Sequence, residues 1–178
     1  MQNNNIYDEI AARTGGDIYI GVVGPVRTGK STFIKKFMEL NVLGQVPDAN
    51  KRARMTDELP QSGDGKTIMT TEPKFVPNEA VTLKFDKMSA AVRLIDCVGY
   101  VVDGALGQTE GDKPRLIKTP WQDEEMTFER AAELGTEKVI CDHSTVGILV
   151  TTDGTVTDIG RAKYVTAEEK AVQKLKDC

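Results

Sequence analysis

The chain has a single histidine, His143, and only three cysteines, Cys97, Cys141 and Cys178, in 178 residues. A lone imidazole cannot build a typical zinc site or a hydrolase triad by itself, and the cysteines lack metal-ligand spacing. Their odd number suits a reduced, cytosolic protein better than a secreted disulfide scaffold. Long hydrophobic runs are missing too: nothing approaches a membrane span, and the polar start "MQNNN" is no signal peptide. There is no excess of basic charge either. The net charge of −4 argues against nucleic acid as the main partner. No internal repeat or low-complexity tract is present. What remains is 39% hydrophobic and 28% charged residues, the composition of a soluble globular chain with length for one domain and a proper core.

Along the chain, "NIYDEIAART" (Asn5–Thr14) reads as a short helix stopped by Gly15-Gly16, so residues 1–16 form a helical lead-in. Residues 17–178 read as one domain. "DIYIGVV" is a buried strand running into a glycine loop. Phe33, Phe37 and Leu40 then recur at helical spacing, predicting an amphipathic helix that ends near Gly44. From Gln45 to about Lys66 the composition turns polar, with Pro47, Pro60, Gly63 and Gly65, which predicts a long mobile loop. "TEPKFV" and "AVTLKF" are two strands parted by the turn signal Pro77-Asn78, and "AAVRLIDCVG" is a third, central one. Gly99 to Glu125 reads mostly as loop, with Trp121 as its pin. "TFERAAELGTEKVICDH" puts Phe128, Ala131, Gly135 and Val139 on one helical face, and "TVGILVTT" is another buried strand. The last helix, "TAEEKAVQKLKDC", opens on a capping box, Thr166 with Glu169.

This order is that of an α/β P-loop NTPase core with a mostly parallel sheet. Such a core returns its last helix into a further strand. The chain stops at Cys178, so we expect a fragment of a longer protein that ends before that strand.

The segment Gly24-Pro25-Val26-Arg27-Thr28-Gly29-Lys30-Ser31 matches G-x-x-x-x-G-K-[ST]. Gly24 and Gly29 allow the tight turns that aim successive N–H groups at phosphate oxygens, and the following helix points its positive end at the same anion. Lys30 supplies charge between the β- and γ-phosphates, and Ser31 a hydroxyl to magnesium. The expected nucleotide contacts are Gly24 through Thr32, with Pro25, Val26, Arg27 and Thr28 inside the loop, together with Gly99. Asp96 ends the next strand, where a carboxylate holds the metal's water shell, and Gly99 completes D-x-x-G with an N–H for the γ-phosphate. Thr70 or Thr71, in the loop between the two motifs, is the expected magnesium and γ-phosphate sensor. A threonine pair on a hairpin edge is the alternative.

Arg27 stands beside the β–γ bridge, where charge builds during phosphoryl transfer. R-T-G-K-S resembles the loop of the guanylate-binding GTPases, in which the matching arginine becomes a finger on self-association. Solvent exposure or pairing with an acid is the other reading. After D-x-x-G, where Ras-like enzymes place a water-orienting glutamine, this chain has Tyr100, and Gln108 is too distant to replace it. Slow intrinsic turnover is therefore expected. No N-K-x-D guanine motif occurs. The motifs alone leave three readings open: an ATP-hydrolysing assembly protein, a GTP-hydrolysing switch, and a structural protein that binds nucleotide without turnover.

These motifs, with "GGDIY", "TGKSTFIKKFMEL", "DELPQSGDGKTIMTTEPKFVPNEA", "IDCVGY", "TPW" and "HSTVGILVTTDGT", closely resemble the stage IV sporulation protein A family, over almost the whole chain. The resemblance implies a GTPase-like (TRAFAC-type), three-layer core that hydrolyses ATP with Mg2+. It implies Lys30 as the phosphate-loop lysine, Asp96 as the metal-side aspartate, and Thr70 and Thr71 as sensors. Its members coat the mother-cell side of the forespore outer membrane and polymerise into the base of the spore coat. They extend well beyond this length. Their contacts with coat morphogenetic proteins and a small amphipathic membrane peptide fall mainly in those later regions. Self-association is implied for the whole protein, and membrane contact here would be indirect.

Overall fold

The computed structural model describes residues 16–60, 71–85, 88–155 and 157–178. The helix expected over Asn5–Thr14 lies outside them, as does Thr70.

The first strand, β1 (Asp17–Val23), leads through the glycine loop into helix α1 (Lys30–Phe37). A π turn over Met38–Val42 and a 3-10 turn over Leu43–Gln45 prolong that helix. Helix α2 (Ala49–Asp57) follows, then β2 (Lys74–Phe85) and β3 (Met88–Asp96). Two small hairpins come next: β4 (Thr109–Glu110) with β5 (Lys113–Pro114), and β6 (Leu116–Thr119) with β7 (Gln122–Thr127). Helix α3 (Phe128–Lys138), strand β8 (Val146–Leu149) and helix α4 (Val165–Asp177) complete the chain.

The main sheet has the order β2-β3-β1-β8. β1 pairs in parallel with both β3 and β8, while β2 pairs with β3 antiparallel. It is a mixed α/β fold with a mostly parallel sheet. The alternation of side chains along the strands sorts the core onto two faces. Val22 and Leu94 join Ile34, Met38, Val42 and Met55 beneath α1 and α2. Their sequence neighbours Val23 and Ile95 join Tyr100, Val139, Tyr164 and Ala171 beneath α3 and α4. A strand buried on both faces has no polar side to show, which is why "DIYIGVV" and "VRLID" are nearly continuous apolar runs.

Several expectations need correction. The buried stripe after the glycine loop is Ile34, Met38 and Val42, whereas Leu40 is 78% exposed. The buried row lies one residue on from Phe33 and Phe37, which are only half-buried, so the extrapolation from those two rings to Leu40 follows the wrong face. Accordingly, Met38→Ala is expected to destabilise the fold by about 2–5 kcal/mol. Leu40→Ala should stay within roughly 0.5 kcal/mol in the same thermal or urea titration.

The stretch expected to be a loop from Gln45 contains α2. Asp48 caps it, its carboxylate accepting from the N–H groups of Asn50 and Lys51 at 2.8 and 2.9 Å. The two strands expected around Pro77-Asn78 are one strand. Its register jumps from Val76 opposite Leu94 to Val81 opposite Val92, so a bulge absorbs the proline, which cannot donate to the ladder.

The Gly99–Glu125 region is mostly loop, as expected, but carries two short hairpins. Strand β8 is outermost among the described strands, with Val146 41% exposed, because only β1 flanks it. No capping box forms at α4. A 3-10 turn over Arg161–Lys163 runs into Tyr164, which is fully buried, and the helix starts at Val165, leaving Thr166 inside it. Finally, the expectation of three reduced cysteines is not met: Cys141 and Cys178 form a disulfide, and Cys97 is free and buried.

Candidate functional site

The site gathers at the carboxyl ends of β1 and β3, where parallel strands release their loops together. Gly29 takes the left-handed conformation (φ 91°) and is the N-cap of α1, with no side chain capping the helix. The first intrahelical bond runs from the Phe33 N–H to the Gly29 carbonyl at 2.8 Å. The N–H groups before it have no acceptor within the helix and point, with the positive end of the helix dipole, into the space the loop encloses. Inside the loop, the Pro25 carbonyl accepts from Thr28 Oγ1 at 3.0 Å and from Lys30 Nζ at 2.6 Å. Lys30 is 4% exposed, and burial pushes its ammonium below its ordinary pKa, with Cys97 and Asp96 opposing that shift. An anion placed before it would restore the charge.

Asp96 closes β3. Its Oδ2 accepts from Ser31 Oγ at 2.7 Å. Its Oδ1 is buried and has no hydrogen-bond partner. Burial raises the Asp96 carboxyl above its ordinary pKa; the Ser31 bond and the Lys30 charge act in the other direction. A hydroxyl and a carboxylate oxygen, the latter buried and unsatisfied, are the hard donors magnesium takes when phosphates supply the rest of its shell. Among the described residues no cluster of three or more histidine, cysteine or acidic side chains could hold a metal by itself. The residues present therefore fit a metal shared with a phosphate ligand, held from the protein side by Ser31 and, through its water shell, by Asp96.

The segment after β3 is laced to the glycine loop. The Val26 N–H donates to the Tyr100 carbonyl at 2.8 Å, and the Tyr100 N–H donates to the Gly24 carbonyl at 3.2 Å. Gly99, at φ 93°, lies so close that a Cβ there would collide with the Gly24 carbonyl oxygen and come within 2.6 Å of Lys30 Nζ. The Gly99 N–H is not free. It donates to Thr136 Oγ1 of α3 at 3.1 Å. The Tyr100 side chain is 4% exposed and sits in the core beneath α3 and α4. Burial first, then Glu137 and Glu133, push its phenol far above the ordinary range.

A family model described as "Stage IV sporulation protein A, ATPase domain" matches residues 1–178. The chain belongs to that family. It is 62% identical over 176 residues to the stage IV sporulation protein A of Clostridioides difficile (strain 630), covering 98% of this chain and 36% of the relative. The Bacillus subtilis (strain 168) and Bacillus anthracis proteins of the same name are 57% and 56% identical over 178 residues, 99% of this chain and again 36% of theirs. The chain thus spans about a third of the length of the curated relatives it matches. No solved structure matches it. Among the described residues, no helix of this sporulation ATPase-family domain is long and apolar enough to cross a membrane.

Of the residues singled out in the sequence, the structure brings Gly24 to Ser31, Asp96 and Gly99 into one region. Thr32 follows in the first turn of α1. Arg27 is exposed at φ 60°, the one non-glycine residue with positive φ among the described residues, and no hydrogen bond or ion pair of its guanidinium is found among them. Thr71 is buried, and its carbonyl oxygen would lie 2.7 Å from a Cβ placed on Gly135 of α3. Thr136 was not foreseen. On a helix wheel it is one polar position beside the apolar face, and only the packing of α3 against the β3 loop gives it a partner.

Proposed function

We propose that this chain is the P-loop, TRAFAC-type ATP-binding and ATP-hydrolysing part of a morphogenetic protein. In that reading the whole protein assembles on the forespore surface as the basement layer of the spore coat. The observation that carries the site is the Ser31–Asp96 bond with Asp96 Oδ1 buried and unsatisfied beside it. Such an atom costs about 1–3 kcal/mol unless a ligand completes it, so it favours a hydrated metal at that position. A magnesium ion bound there would neutralise phosphate charge. Lys30 exchanges the Pro25 carbonyl for phosphate oxygens, the amides at the start of α1 cradle the same anion, and Thr70 and Thr71 serve as sensors of the third phosphate.

Turnover is slow in this reading. The residue after D-x-x-G buries its side chain in the core and leaves no group at that position to orient water. Arg27 completes the site as an arginine finger. Holding a non-glycine residue in the left-handed region costs roughly 1–2 kcal/mol, and such strain concentrates at functional positions. Assembly into a polymer orders that side chain. Coat proteins and the small amphipathic membrane peptide engage the longer protein mainly outside these residues, on the mother-cell side of the forespore outer membrane.

Phosphate release with ATP and GTP in competition tests the reading, which requires ATP to be turned over in preference to GTP. Arg27→Ala is expected to lower kcat by about 100-fold or more while nucleotide affinity changes less than about threefold. Equal loss of both would make Arg27 a binding residue only.

A further inference from the structure

The Gly99 amide already has an acceptor in the protein. Thr136 is fully buried on α3, and its hydroxyl proton is committed to the Ala132 carbonyl at 2.7 Å. Its oxygen is thereby fixed as an acceptor, and it receives the Gly99 N–H at 3.1 Å. Alanine or another unbranched residue would suit a buried helical position better than threonine, so helix formation does not account for this hydroxyl. Gly99 meanwhile borders the glycine loop, close to Gly24 and to the Lys30 ammonium. One residue back on the same helix, Gly135 lies against the Thr71 carbonyl, where even a Cβ would be too close. Thus α3 backs both Thr71 and Gly99, with one polar atom aimed at Gly99.

We propose that Thr136 is a positioning residue that holds the Gly99 amide on α3 until a third phosphate competes for it. This rests on the nucleotide site proposed above and deepens it. One N–H serves one acceptor well. A charged phosphate oxygen makes a stronger bond than a hydroxyl, so the exchange runs toward the nucleotide only when a third phosphate is present. With a diphosphate the amide stays on Thr136. The hydroxyl therefore sets part of the discrimination between triphosphate and diphosphate, without touching either.

Thr136→Val removes the acceptor at nearly constant shape, and Thr136→Ser keeps it. Affinities for a slowly hydrolysed ATP analogue and for ADP, each with Mg2+, are measured by calorimetry. Exchange of the Gly99 amide is followed by NMR in nucleotide-free protein. In Thr136→Val the analogue is expected to bind about tenfold more tightly while ADP affinity is nearly unchanged, because the amide then keeps only the weak Cys97 sulfur as a partner and the third phosphate displaces it readily. Gly99 exchange should accelerate in this variant, and Thr136→Ser should match the wild type in both measurements. An unchanged analogue-to-ADP ratio beside intact ADP binding overturns the proposal alone, as does a serine variant that behaves like valine. If the wild type binds neither nucleotide, the nucleotide reading falls and the proposal falls with it.

Discussion

Lys30→Met is expected to lower ATP turnover at least ~100-fold without lowering the thermal stability of the ligand-free protein. The two halves of this result have one cause. Lys30 is an ammonium at 4% exposure, held by the Pro25 carbonyl and shifted below its ordinary pKa by burial. Keeping that charge out of water destabilises the empty site, and the nearby Asp96 carboxylate only partly offsets the cost. Methionine has similar length, no charge to desolvate, and enough freedom to fill the same volume. The folded chain therefore loses a single hydrogen bond and is freed of a desolvation penalty. With phosphate present the balance reverses, since the ammonium is the main positive charge on the inner side of the loop. Turnover by phosphate release and unfolding by calorimetry check the two halves. A variant retaining more than a tenth of wild-type turnover would remove Lys30 from the chemistry.

Gly99→Ala should be strongly damaging for a change that adds a single methyl group. Two penalties add. At φ 93° an L side chain is strained by about 1–2 kcal/mol. The new Cβ also collides with the Gly24 carbonyl oxygen and crowds Lys30 Nζ at 2.6 Å. A backbone oxygen cannot step aside as a flexible side chain can, so overpacking costs a further ~1–3 kcal/mol. The expected sum is roughly 2–5 kcal/mol, or a fall in Tm on the order of 10 °C for a domain of this size. Moving residue 99 also breaks the Tyr100–Gly24 and Gly99–Thr136 bonds, so nucleotide binding falls too. Gly111→Ala is the control. Its φ is 63°, but nothing lies within 4 Å of a Cβ there, so only the conformational strain remains. Equal Tm losses in the two variants would show that the collision is not felt.

Local chemistry made much of this protein legible before any coordinates. The G-x-x-x-x-G-K-S run, the apolar strand before it and the aspartate ending a β-branched strand each encode their local conformation within a few residues. Gly29 does adopt the left-handed turn, and Ser31 does meet Asp96 across 65 positions of sequence. The helix from Phe128 was equally clear, because Ala131, Gly135 and Val139 keep one period throughout and are all buried. Helix α2 was missed although its signal is local: Asp48 is a good cap, but a helix with only Met55 buried has almost no apolar period to read.

Other features are decided by packing between distant segments. Which row of the helix after the glycine loop faces inward, Ile34 with Met38 rather than Phe33 with Phe37, is decided by packing against the sheet. Whether Pro77 ends a strand or sits in a bulge depends on β3 continuing alongside. Cys141 and Cys178 become partners only because α3 and α4 end side by side. The chain's sequence thus determined the family and the strand, glycine turn and helix around Gly29, since each rests on residue type at short spacing. The tertiary structure alone decided that the Gly99 amide rests on Thr136, because that contact joins segments 37 residues apart through the packing of one helix against one loop.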